Sequence, residues 1–269
     1  MEELKMWLNF PVFASFAILL WLGATGLFLS SASKMLNRLA GGLSVLGTAV
    51  LLVFVVQLWM AIDRPPMRTL GETRLWYAIF LSGIGLAAYY RWKYKWVVCY
   101  SLTLAMMFLS FNLNHPETYD KTLMPALQSP WFVPHVIVYI FAYALLGASS
   151  LIAIRNLFVK PSGKTINAPV HMADNLVYLG FSFLTLGLLF GALWAKEAWG
   201  HYWTWDPKET WAFITWMFYL VYIHYRFRNP AEHNKAMMVL AVAFVVLLIC
   251  WFGVNYLPSA QNSVHIYSE

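Results

Sequence analysis

Asp174–Trp211 reads DNLVYLGFSFLTLGLLFGALWAKEAWGHYWTWDPKETW. Up to Trp194 the stretch is apolar, and about 20 such residues cross the ~30 Å hydrocarbon core of a bilayer as a helix. Beyond Trp194 the character changes. Trp194–Trp216 holds six of the chain's 14 tryptophans, interleaved with charged residues in a chain that is only 11% charged. Aromatic belts at membrane interfaces need tryptophan and tyrosine alone, which is all that Trp59, Trp76, Trp92 and Trp96 require. The ordered set Trp199, Gly200, Trp203, Trp205, Asp206 and Trp211 exceeds a belt and suits a flat, amphipathic, partly anionic ligand. Gly200 permits close backbone approach. Asp206 is placed as a helix N-cap and Pro207 as the first helical residue.

Similar apolar runs extend on both sides. They lie near Leu8–Ser30, Leu39–Ile62, Arg74–Tyr90, Trp96–Asn114, Trp131–Ile154, Asp174–Trp194, Trp211–Arg228 and Ala236–Leu257. The third and seventh are short and end in aromatic and basic residues suited to the interface. The chain is 61% hydrophobic with a mean hydropathy of +0.60. Period-2 alternation is absent, which excludes a closed β-barrel. The expectation is an all-α polytopic membrane protein: a single membrane domain, 1–269, of about eight transmembrane helices. The tryptophan-rich segment 195–211 is expected as a loop between helices six and seven. The first run lacks a basic leader and a cleavage pattern, so it is expected to remain as a span. Cys99 and Cys250 each lie alone inside a span and read as small core residues.

The net charge of +6 resolves by loop. Lys34, Arg38, Arg91, Lys93, Lys95, Arg155, Lys160, Lys164, Arg226, Arg228 and Lys235 fall in alternate loops, which the positive-inside rule makes cytoplasmic. The other loops carry most of the acids, so both termini and the tryptophan-rich loop are expected outside. The bilayer accounts for the positive charge without a nucleic-acid partner.

Seven histidines remain to be sorted. Neutral imidazole is a common axial ligand of heme iron. His115, His171 and His233 read as loop polarity. His135 sits ~6 Å of helix rise below Trp131, a depth at which an ionisable residue is a functional candidate. Taken alone, it is compatible with a ligand and with a hydrogen-bonded interfacial histidine. His224 lies ~20 Å along the seventh span from Trp211, toward the cytoplasmic side, where Tyr219, Tyr222 and Tyr225 offer hydrogen bonds. His265 follows the last span by a short tail. His135, His265 and the tryptophan loop are expected on one face, with His224 approaching from the other.

The string Trp199-Gly200-x-Tyr202-Trp203-x-Trp205-Asp206-Pro207-Lys208-Glu209-Thr210-Trp211 resembles the WWD signature of heme-handling proteins. Its Asp-Pro-Lys-Glu-Thr-Trp continuation is similar to the CcsA, or ResC, branch of System II cytochrome c biogenesis. Pro125–Trp131 with His135, Tyr219–Arg226 with His224, and Phe252–Asn255 with His265-Ile266-Tyr267 resemble the family's histidine-bearing segments. Around His265 this chain has Ser-Val-His-Ile-Tyr where the family more often has Gly-Leu-His-Ser-Tyr. His201 occupies a variable position of the motif and is not assigned as a ligand.

The resemblance implies heme b, with His135 and His265 as axial ligands of an external heme and His224 as a ligand of a transmembrane site. Trp199, Trp203, Trp205 and Asp206, with Gly200 and Trp211, would form its platform. It also implies a separate CcsB/ResB-like membrane partner supplying a further histidine, and apocytochrome c with a CxxCH motif as the acceptor of two thioether bonds. The chain would then be one component of a holocytochrome c synthase (heme lyase) complex in the bacterial inner membrane, or its thylakoid equivalent. Three other readings stay open here: a heme exporter or chaperone without ligase activity, a quinol-linked heme subunit, and a transporter of another substrate.

Overall fold

The computed structural model describes residues 6–30, 33–119, 125–158, 167–258 and 263. Among them are eight long helices and no β-strand. These are α1 Phe10–Ser30, α2 Lys34–Ile62, α3 Leu70–Trp92, α4 Lys95–Asn114, α5 Phe132–Phe158, α6 Asn167–Trp199, α7 Pro207–Arg228 and α8 His233–Leu248. They correspond one for one with the eight apolar stretches, and the all-helical, membrane-spanning architecture stands. Six are long and apolar enough to cross a membrane by length and composition: α1, α2, α4, α5, α6, and α8 with its π-helical extension to Gly253.

α3 and α7 differ in polarity rather than in length, at 23 and 22 residues. The sequence made them short because their apolar text starts at Arg74 and Trp211. Each helix begins earlier, at a capping box: Thr69 with Glu72, and Asp206 with Glu209. In such a box the cap oxygen takes backbone N–H groups of the first turn and the acid takes the cap's own N–H. The expected Asp206 cap and first-turn Pro207 are thus in place.

α6 also runs past its apolar text, to Trp199. Ala195, Lys196, Glu197 and Ala198 are strong helix formers, so the connection expected over 195–210 shrinks to 200–206. Trp199 therefore ends a helix, and Trp211 lies inside α7.

The chain divides into two compact units, Met1–Leu123 and Met124–Glu269. In the first, α1 to α4 pack in a ring, each against its chain neighbours and α1 against α4. Trp21 packs against α2, its Nε1 donating to the Ser44 carbonyl at 3.2 Å. A Cβ at Gly47 would sit 2.5 Å from that nitrogen, so the glycine makes room for the indole. Trp7 stacks on Tyr119 with ring centroids 4.1 Å apart, and the Tyr119 hydroxyl donates to the Asn112 carbonyl.

The second unit repeats the ring with α5 to α8. Its tightest seam joins α5 to α6. Cβ atoms at Gly180, Gly187 and Gly191 would each lie 2.8 Å from a side chain of α5: Leu146, Tyr139 and His135 respectively. Steps of seven and four residues up α6 meet equal steps down α5, which is the register of an antiparallel pair. Small residues at such a seam let two helix backbones approach closely in lipid, where packing replaces hydrophobic driving force.

Candidate functional site

His135 projects from the first turn of α5 into the niche left by Gly187 and Gly191. Its Nδ1 lies 2.9 Å from the Gly187 carbonyl oxygen. A carbonyl only accepts, so Nδ1 carries a proton, and in the neutral form of the ring the lone pair is on Nε2. Histidines that bind metals are typically oriented in this way, with the second ring nitrogen donating to a carbonyl. The ring is also held at 5.4 Å, nearly parallel, to Trp194 and edge-on at 4.7 Å to Tyr139. Trp194 is buried, donates to the Ala126 carbonyl at 2.7 Å and meets Trp199 at 4.8 Å. His135 and Trp199 thus belong to one chain of ring contacts. An open cleft of ≈ 300 Å³ is lined by Ala126, Gln128, Ser129, Glu197 and Ala198, and Ser129 donates to Glu197 across it at 2.7 Å.

The niche gives a direct test. Gly191→Val would drive methyl groups into the imidazole, and overpacking of this kind costs ~1–3 kcal/mol. A lowered unfolding midpoint of the purified protein is expected. Gly83→Ala, where an added Cβ meets nothing within 4 Å, should show no loss. Equal midpoints for Gly191→Val and the wild type would refute the tight seam.

The 200–206 connection is built by Glu209. Its Oε2 accepts from the Thr204 N–H at 2.8 Å, the Thr204 hydroxyl at 3.4 Å and the Asp206 N–H at 3.2 Å. The Thr210 hydroxyl donates to the Trp205 carbonyl at 3.0 Å. These bonds pin both flanks of Trp205 and hold it at φ 59°. A bulky residue in the left-handed region is a true outlier, persisting where neighbours over-determine it and clustering at functional sites. The consequence is display: Trp205 is 63% exposed. It meets Trp203 edge-on at 5.7 Å and Phe213 at 5.9 Å, and Phe213 leads on to Trp216. The Trp203 Nε1 is buried and finds no hydrogen-bond acceptor among the described residues.

Gly200 holds φ 86°, where a side chain would be strained, yet a Cβ there would meet no protein atom within 4 Å. Its need is conformational: it lets the chain leave α6.

Asp206 faces inward instead of lining the exposed surface. It is 8% exposed, and its Oδ1 accepts from the Lys208 N–H at 3.0 Å and the Ser263 hydroxyl at 2.8 Å. The carboxylate therefore caps α7 and clasps the C-terminal tail. His265 lies outside the described residues, two positions after Ser263.

His224 is exposed on α7, its Nδ1 2.9 Å from the Leu220 carbonyl, so its lone pair is also on Nε2. The tyrosines expected to serve it are engaged elsewhere. Tyr222 donates to Asp174 at 2.7 Å, Tyr225 donates to Glu232, and Tyr219 is fully buried. The cause is rotation: positions 222 and 226 turn into the unit while 224 turns out. What turns them in was missed by the sequence reading. Asp174 of α6 takes a two-pronged contact from Arg226, Nε to Oδ1 at 2.9 Å and Nη2 to Oδ2 at 2.8 Å, with both residues buried. A signal existed, since Asp174 is an acid immediately after the stretch 155–173, which carries bases and no acid.

Comparison with known proteins decides the family. The cytochrome C assembly protein family matches residues 69–260. The chain belongs to that family. It is 33% identical over 261 residues to "Cytochrome c biogenesis protein CcsA" of Chlamydomonas reinhardtii, covering 92% of this chain and 73% of that protein. It is 31% identical over 279 residues to the protein of the same name from Pyropia yezoensis, covering 85% and 87%. These matches bear out the resemblance to the CcsA branch of cytochrome c assembly proteins. Among solved structures it is similar in fold to "Cytochrome c Heme Lyase CcmF", with a TM-score of 0.71 over 94% of this chain at 17% identity. This chain spans 48% of that lyase's length.

Proposed function

We propose that this cytochrome c assembly protein holds heme as its cargo at the outer membrane face and presents it for covalent attachment. Family membership makes cytochrome c biogenesis its function, and the heme and its ligands are the finer reading. The observation that carries it is His135: its proton is committed to the Gly187 carbonyl and its lone pair lies on Nε2. The other residues fit a flat tetrapyrrole. Trp205 is displayed at the cost of backbone strain, and the buried Trp203 N–H has an acceptor to gain.

His265 is the proposed second axial ligand, and the Ser263–Asp206 hydrogen bond ties the tail beside it to the WWD segment. Trp199, Trp203, Trp205 and Trp211 supply the aromatic surface. Asp206 acts from beneath, as cap and clasp. The acceptor is the CxxCH motif of an apocytochrome c. Each of its thiols adds S–H across one vinyl group of heme b, a balanced addition with no net electron transfer. The chain's own part is to bind, orient and display, which is the entropic share of catalysis.

A CcsB/ResB-like partner completes the assembly. The exposed imidazole of His224, with its lone pair turned away from the unit, suits a bis-imidazole site whose other histidine comes from that partner. The charge pattern supports an external position for the WWD segment and both termini, in a bacterial inner membrane or its plastid equivalent.

Co-expression tests this reading. The chain, a CcsB-like protein and a CxxCH reporter together should yield covalent cytochrome c. No covalent product in any such combination would remove the synthetase role and leave heme export.

A further inference from the structure

Glu209 makes more bonds than a helix cap requires. In a capping box the acid returns a bond to the cap's own N–H, and Glu209 Oε2 takes that of Asp206 at 3.2 Å. The same oxygen takes two donors from outside α7, the Thr204 N–H at 2.8 Å and the Thr204 hydroxyl at 3.4 Å. Glu209 is 9% exposed, and burying a carboxylate is costly unless it is paired and hydrogen-bonded. The other box acid shows the contrast. Glu72 is fully buried at the start of α3, and the Arg64 guanidinium meets it at 2.9 and 3.1 Å. The donors that meet Glu209 are neutral backbone and hydroxyl groups instead. Capping alone does not account for this buried charge, and the 200–206 connection does.

Thr204 and Asp206 are the chain neighbours of Trp205, so one carboxylate oxygen fixes the backbone on both sides of it. Thr210, the next residue along α7, donates from its hydroxyl to the Trp205 carbonyl at 3.0 Å. Trp205 holds φ 59° between these anchors. A bulky residue keeps that conformation only while its surroundings impose it. Its ring contacts to Trp203 and Phe213 are both edge-on, at 5.7 and 5.9 Å, and 63% of the residue stays exposed. An indole displayed in this way offers a flat ligand a stacking surface, and its backbone sets the aim of that surface.

We infer that Glu209 is a positioning residue of the heme-presenting site, fixing the Trp205 indole for stacking without touching the ligand itself. This rests on the reading of Trp205 as part of the presenting surface. Glu209 acts through Trp205, and that route separates positioning from a general structural role.

Two readouts on the full chain, purified in detergent, test it. The first is heme-free: 5-fluorotryptophan is incorporated and the Trp205 fluorine signal is assigned by its loss in Trp205→Phe. Glu209→Gln, whose neutral amide oxygen is a weaker acceptor, should shift or broaden that signal. Glu232→Gln, the same change in an exposed acid beyond the other end of α7, should leave it in place. The second is heme titration. Glu209→Gln should lower the affinity about tenfold, the worth of about one charge-assisted hydrogen bond. In a Trp205→Ala background the same change should cost no further affinity, because residues acting as one unit are not additive. Thr210→Val, which loses the bond to the Trp205 carbonyl, should give the same pattern in smaller measure and carries the test if Glu209→Gln fails to fold. A Trp205 signal unmoved in both variants, or the full tenfold loss persisting without the Trp205 indole, would overturn the proposal. A wild type that takes up no heme would sink the heme reading, while the fluorine signal would still decide the role of Glu209.

Discussion

Asp174→Ala is expected to destabilise the protein by ~3–5 kcal/mol, the usual cost of removing one partner from a buried ion pair. Arg226 is 6% exposed. Without Asp174 its charge keeps, among the described residues, the Pro230 carbonyl at 2.9 Å and a long contact of 3.5 Å to His233. Tyr222 loses its acceptor as well. The penalty is that of an unmatched buried charge, so removing both partners should cost less. Asp174→Leu with Arg226→Met is expected to recover most of the loss, as apolar replacements of buried pairs often do. Unfolding midpoints in detergent for the single and double variants would measure this. A double variant as unstable as the single would show that the pair contributes more than matched charge.

The lock also bears on the site. Asp174 lies ~38 Å of helix rise from Trp199, and Arg226 ~30 Å from Asp206. α6 and α7 are thus joined at one end by the 200–206 connection and at the other by the ion pair. Because Tyr222 and Arg226 face inward, His224 faces outward. Breaking the lock frees α7 to rotate and should weaken whatever meets His224.

His135→Ala should reduce heme affinity by about 100-fold or more. Removing a group that merely orients a metal ligand costs 10–100-fold, and loss of the ligand itself should exceed that. Millimolar imidazole, diffusing into the space left between α5 and the Gly187–Gly191 niche, should restore part of the binding. Affinity unchanged in His135→Ala, or no response to imidazole, would remove His135 as a ligand.

The eight helices were legible because continuous apolar text is a strong signal that owes nothing to tertiary context. Their ends were less so. At Thr69 and Asp206 a helix begins in polar residues, and Asp206 was readable because proline and an acid follow it in the expected order. The end of α6 was misplaced because an aromatic, charged text looked like a loop while its residue types favour helix. Two features that hold the site were not legible. Gly187 and His135 are 52 residues apart, as are Asp174 and Arg226. Which residues face each other across a seam depends on a register that appears only when both helices are placed. His135 and Trp205 were candidates by residue type and position, whereas the proton on Nδ1 and the strained display of Trp205 are properties of the fold.

The most direct test is an absorption spectrum of the purified protein before and after dithionite. Bound heme with a low-spin, bis-imidazole spectrum is expected in the wild type, and its loss in both His135→Ala and His265→Ala. Wild-type heme content and an unchanged spectrum in both variants would contradict the assignment of these histidines as the ligands of the presented heme.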